Sequence, residues 1–386
     1  MKIFLVPFLL DFLLFFVMLR VADAAGREMQ LSNAQTTALL IAWSASYMVV
    51  CPFIGRVLNA RNTKPILVFS IVTIGIFSVP LLFTNVFLTA LILISLLGAS
   101  AALAFNSFQG LVRNQSPTGG LATTVGRYTL SWSMGIGLGF LLGGIFRSLN
   151  EPLLLALSVF ISCSVLLGIV WSFKPDAQAE NTTSSTRAEE NSAVANPIAG
   201  IDVRYIAVAW TLLLTANFVQ RPLTTFLPKF SAQAENPSWM AGVLLATMLF
   251  AQAITGYAMS RKTHWLYRLK PMFLVQIGVI ALLGFLWFAQ NFFVTILLMM
   301  CLGALHGFVY FASVYMASNS AQSARNIGIN EMMVGIGNIG GMFFSAGAIR
   351  VAGFERAFFP ATMILATLVL VWQMWWLRRG DRVVTS

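Results

Sequence analysis

Blocks of about 20 predominantly apolar residues recur along this 386-residue chain, and no other feature limits its fold so tightly. A helix rising 1.5 Å per residue needs about 20 apolar residues to cross ~30 Å of hydrocarbon. Twelve such spans are expected, at about 3–25, 34–54, 65–83, 86–111, 128–146, 152–173, 205–227, 239–259, 271–289, 292–316, 327–349 and 358–377. Charged residues make up 10% of the chain, against roughly 25% in soluble proteins. The net charge of +11 is therefore read against the sidedness of a bilayer, and nucleic acid is not expected as a partner.

An acidic residue inside the first apolar run, Asp11, argues that this run is a retained span and not a cleaved signal. With the N-terminus inside, 17 of the 24 Lys and Arg fall on the inner side and 7 on the outer side, so both termini are expected in the cytoplasm. The expected location is a cell (inner) membrane. The stretch from Lys174 to Arg204 is rich in Ala, Asn, Ser, Thr and Glu and has little to bury, so it reads as a cytoplasmic linker. It separates an N-terminal six-helix half (1–173) from a C-terminal one (205–386).

The two halves repeat each other at a spacing near 200. Ser133-Met134-Gly135-Ile136-Gly137 returns as Met333-Val334-Gly335-Ile336-Gly337, and Leu97-Gly98-Ala99 returns as Leu302-Gly303-Ala304. Gly55 matches Gly256, and Lys64-Pro65 matches Lys270-Pro271. Duplicated six-helix halves with a binding site between them are an architecture of secondary transporters.

Three local patterns give this a family resemblance. The loop after span two reads Gly55-Arg56-Val57-Leu58-Asn59-Ala60-Arg61-Asn62-Thr63-Lys64, keeping the glycine and terminal cation of G-x-x-x-D-R-x-G-x-[RK]. Span five carries Gly135, Gly139, Gly143 and Gly144, every glycine of G-x-x-x-G-P-x-x-G-G, with Phe140 in place of the proline. Span ten contains Gly303-Ala304-Leu305-His306-Gly307-Phe308-Val309-Tyr310, similar to a stretch in some exporters. On these motifs the chain resembles the major facilitator superfamily over nearly its whole length. The resemblance implies an all-α integral membrane fold of twelve helices in two pseudo-symmetric halves. It also implies alternating access, with proton-coupled export of a small organic solute as the leading expectation. Glycines four residues apart make a smooth stripe on which a neighbouring helix sits closely, either as a rocking surface or as static packing.

Ionisable groups inside the spans are expensive and so are candidates for function. Asp11 and Glu331 are candidates for proton or cation coupling, and His306 offers an imidazole that titrates near neutrality. Arg20 and Arg221 stand at matching places in spans one and seven and could hold a phosphate or an organic anion, in uptake or exchange. Asn106, Gln109, Asn217, Gln220, Gln252 and Asn338 could line a cavity or tie helices together. No P-loop or zinc-protease signature occurs, so neither an ATP-driven pump nor an enzyme is expected, nor any cofactor or metal. The expected partners are a small-molecule solute, protons and the lipid bilayer, around a monomer. A non-transporting membrane scaffold or sensor is the rival from another class.

Overall fold

The computed structural model describes residues 2–27, 29–58, 61–115, 120–147, 152–172, 203–233, 237–320 and 323–384. Among them the chain forms twelve long helices and no strand: α1 (Leu5–Arg27), α2 (Asn33–Val57), α3 (Thr63–Phe83), α4 (Phe87–Gln115), α5 (Leu121–Arg147), α6 (Pro152–Trp171), α7 (Val203–Gln233), α8 (Ser238–Met259), α9 (Leu269–Phe288), α10 (Phe292–Ser318), α11 (Ser323–Ala352) and α12 (Phe358–Val384). Ten are long and apolar enough to cross a membrane. In α6 the described apolar stretch is the shorter Leu155–Trp171. In α7 the run is diluted by Asn217, Gln220 and Arg221, whose polarity matters below. Most of 174–204 and residue Asn59 lie outside the described residues.

Local chemistry sets where helices start. Ser32 and Gln35 form a reciprocal capping box at the start of α2, and the Asn291 side chain accepts from the amides of Phe293 and Val294 at the start of α10. Several helices extend beyond the expected spans, α5 by seven residues at its start, because a helix need not stop at the edge of the hydrocarbon.

Within the N-terminal half α1 packs on α5, α2 on α4 and α3 on α6; in the C-terminal half the same pairings are α7 on α11, α8 on α10 and α9 on α12. Glycine contacts show the repeat at atomic detail. A Cβ on Gly98 of α4 would press into the Trp43 carbonyl oxygen of α2, and one on Gly303 of α10 into that of Met248 in α8. Gly135 and Gly139 of α5 meet the carbonyls of Phe8 and Phe12, as Gly337 and Gly341 of α11 meet those of Leu214 and Phe218. The register linking spans five and eleven is therefore 202, not the 200 that matching letters suggested. Backbone proximity, rather than residue identity, fixes which glycines are equivalent. Pro222 contributes here: it lacks the N–H that would bond the Phe218 carbonyl four residues earlier, and that carbonyl faces Gly341.

The halves meet along α5–α8 and α2–α11. Outward faces carry large exposed apolar side chains such as Phe69, Phe160, Phe285 and Ile364, as a lipid-facing surface requires.

Candidate functional site: a cavity between the halves

Seven helices converge on a cavity of about 150 Å³. Helices α1, α2, α4 and α5 supply Asp11, Phe15, Trp43, Tyr47, Phe105, Tyr128 and Trp132, while α7, α10 and α11 supply Asn217, Gln220, Arg221, Tyr310, Glu331 and Asn338. By volume it has room for about ten water molecules, or one small organic solute. Seven aromatic side chains share its wall with nine non-aromatic polar or charged ones, a mixture of apolar surface and convergent polar groups that suits a small-molecule site.

Asp11 and Arg221 are both almost fully buried, 4% and 7% exposed, yet both border the cavity. Asp11 Oδ2 and Arg221 Nε and Nη2 have no hydrogen-bond partner among the described residues. Glu331 is differently placed. Tyr47 Oη of α2 donates to its Oε2 at 2.7 Å, and Gln109 Nε2 of α4 donates to its Oε1 at 3.1 Å. Gln109 Nε2 also donates to Tyr128 Oη of α5 at 3.2 Å. One carboxylate of the C-terminal half thus holds α2 and α4 of the N-terminal half directly, and α5 through Gln109. On the C-terminal wall, Tyr310 Oη lies 2.8 Å from Asn217 Oδ1 and 2.9 Å from Gln220 Oε1, and its ring meets Trp132 edge-on at 4.9 Å.

Of the residues singled out from sequence, Asp11, Arg221, Glu331 and Asn338 come together at the cavity. Arg20 is half-buried and lies away from it, so the proposed arginine pair is not assembled. His306 is wholly buried among the helices, neither ring nitrogen has a partner among the described residues, and the side chain does not reach the cavity. The glycine stripe seats α5 on α1 within one half: Gly135 and Gly139 meet α1 carbonyls and Gly143 meets the Leu19 side chain. Gly144 instead faces α8, where a Cβ on Gly242 would come within 3.7 Å of it. Gly55 lies near the end of α2, and Lys64 Nζ donates to the Trp171 carbonyl at 3.2 Å, tying α3 to α6.

The neutral amides divide their work. Asn217, Gln220 and Asn338 line the cavity, and Gln252 Nε2 of α8 donates to Ser133 Oγ of α5 at 2.9 Å across the halves. Asn106 Nδ2 donates to the Ala102 carbonyl of its own helix at 2.8 Å and to Cys51 Sγ of α2 at 3.3 Å. Sequence reasoning missed Tyr47 and Tyr128. Their signal was available: a phenol in the middle of an apolar span needs a partner for its hydroxyl.

Residues 3–324 match the sequence profile of the Major Facilitator Superfamily. The chain belongs to the major facilitator superfamily. It is a multi-pass membrane transporter of the secondary type, not an enzyme. Comparison with curated proteins finds no relative. Among solved structures it is similar to the human organic anion transporter MFSD10 (TETRAN), with a TM-score of 0.70 and 13% identity over 95% of this chain and 98% of that one. At that identity the likeness concerns the fold.

Proposed function

We propose that this superfamily member carries a small organic anion together with a proton through the cavity between its halves. The observation that carries this reading is Arg221, a buried guanidinium that faces the cavity with Nε and Nη2 unpartnered among the described residues. Arginine does not shed its proton in proteins, and an unpaired buried ion is unfavourable by several kcal/mol. A solute that brings the missing negative charge relieves this, and the guanidinium fork suits a carboxylate or phosphate.

The carboxyl groups of Asp11 and Glu331 border the same space. At about 10 Å and an effective dielectric of 20, each ionised carboxylate would repel a bound anion by ~1.7 kcal/mol. Anion and protons therefore favour each other's binding and move in the same direction. A cationic solute would compete with protons and give opposite movement, as in the export expected from the glycine pattern; Arg221 disfavours that. The organic anions named for the fold neighbour agree with this reading. The moving bodies would be residues 1–173 and 205–386 of one chain, tethered by 174–204 on the cytoplasmic side of a cell membrane with both termini inside.

Purified protein in proteoliposomes tests this. A lower external pH should accelerate uptake of organic acids, and Arg221→Met should abolish their binding while leaving the protein folded in detergent. Anion uptake that survives Arg221→Met, or that slows on external acidification, would overturn the proposal.

A further inference from the structure

Beside the cavity arginine, the hydrogen-bond count on Tyr310 does not close as it stands. Its hydroxyl has one proton, yet two side-chain oxygens face it, Asn217 Oδ1 at 2.8 Å and Gln220 Oε1 at 2.9 Å. The Asn217 amide cannot turn, because its Nδ2 donates to the Leu213 carbonyl at 2.8 Å and turning would set two oxygens against each other. Tyr310 therefore donates to Asn217. An amide's two ends are nearly the same size, so the pattern of donors decides which end faces the phenol. The Gln220 amide must present its Nε2–H to Tyr310 Oη, which has a lone pair to accept it. Its carbonyl oxygen then takes the other amide position, which has no partner among the described residues. Gln220 borders the cavity, and the residue after it is Arg221.

We infer that Gln220 is a specificity residue: its amide oxygen accepts a hydrogen bond from a hydroxyl or N–H on the solute, adjacent to the anionic group held by Arg221. The substrate class is a small organic acid with a donor next to its carboxylate, its apolar body lying against Trp43, Phe105 and Trp132. The inference rests on the anion reading and adds to it. A buried acceptor left unmade is unfavourable, so an acid lacking the donor loses affinity even though it fits. Tyr310 is a positioning residue: it fixes which end of Gln220 the solute meets.

The test uses the full-length protein in nanodiscs and acids matched in pairs: lactate with propionate, mandelate with phenylacetate, 3-phenyllactate with 3-phenylpropionate. Affinity is read from the change in tryptophan fluorescence on titration. For at least one pair, the hydroxy acid should bind about tenfold more tightly than its partner. Gln220→Met should erase that difference, with the donor-free acid binding as tightly as before or more tightly, because no buried acceptor is then left unmade. Tyr310→Phe, which frees the amide to turn, should shrink the difference without abolishing binding. Acids that bind to wild type and are lost in Arg221→Met, but with no preference for the hydroxy member and no response to Gln220→Met, would overturn this inference and leave the anion reading standing. Binding by none of the six acids, or binding indifferent to Arg221→Met, would overturn both.

Discussion

Replacing Glu331 by glutamine should loosen the grip between the halves, and the geometry gives the size of the effect. The carboxylate accepts one hydrogen bond from Tyr47 at 2.7 Å and another from Gln109 at 3.1 Å, one on each oxygen. Glutamine keeps one acceptor and turns an NH2 toward the other donor, so one charge-assisted bond is lost and a donor is left opposed. Hydrogen bonds to charged groups contribute about 1.5–3 kcal/mol. At about 1.4 kcal/mol per tenfold, the balance between clasped and unclasped states should shift by roughly 10–150-fold. Glu331, Tyr47, Gln109 and Tyr128 all lie toward the helix ends that face the α2–α3, α4–α5 and α10–α11 connections, so opening should be visible at that face. Spin labels on Val57→Cys, at the end of α2, and Thr263→Cys, just past α8, would report it by pulsed electron resonance, with the exposed Cys301 replaced by alanine. The long-distance population should grow in Glu331→Gln and, less strongly, in Tyr47→Phe, and a double-mutant cycle between them should be non-additive. Distance distributions that move in neither variant would show that the clasp holds no energy between the halves.

Asp11→Asn should remove acceleration of anion uptake by external acid while preserving exchange of labelled for unlabelled anion, measured in the same proteoliposomes. His306→Gln should leave the pH profile of uptake unchanged, because the imidazole lies away from the cavity; a displaced profile would place a proton site there. Gly98→Ala and Gly303→Ala should each destabilise the protein by ~1–3 kcal/mol in detergent unfolding, since the new Cβ would press on a backbone carbonyl that cannot swing aside. Gly168→Ala and Gly347→Ala, with nothing within 4 Å, should be neutral or slightly stabilising under the same assay, because alanine favours a helix over glycine.

Much of the fold was legible in the chain because hydrocarbon is a severe solvent. Backbone groups must be satisfied within each segment there, so an apolar run of about 20 residues reads as a helix without knowledge of its neighbours. The repeat and the span-five glycines were visible for a related reason: close helix approach admits few residue types. Candidate site residues were legible where burial penalises charge, as at Asp11, Arg221 and Glu331. The same rule could not separate them from Arg20 and His306, which carry similar chemistry on similar spans. Charge and depth are properties of the sequence, whereas the direction a side chain faces depends on how each helix is rotated against the others.

That rotation is what tertiary structure decided. It turned the glycine stripe onto α1 within its own half, shifted the repeat register from 200 to 202, and set Tyr47 and Gln109 around a carboxylate more than 200 residues away along the chain. Sequence by itself determined how many helices there are, roughly where they lie and which groups are too polar to face lipid. Only packing determined which of those groups share one cavity, because hydrogen bonds between distant helices form at particular rotations and spacings that no local pattern encodes.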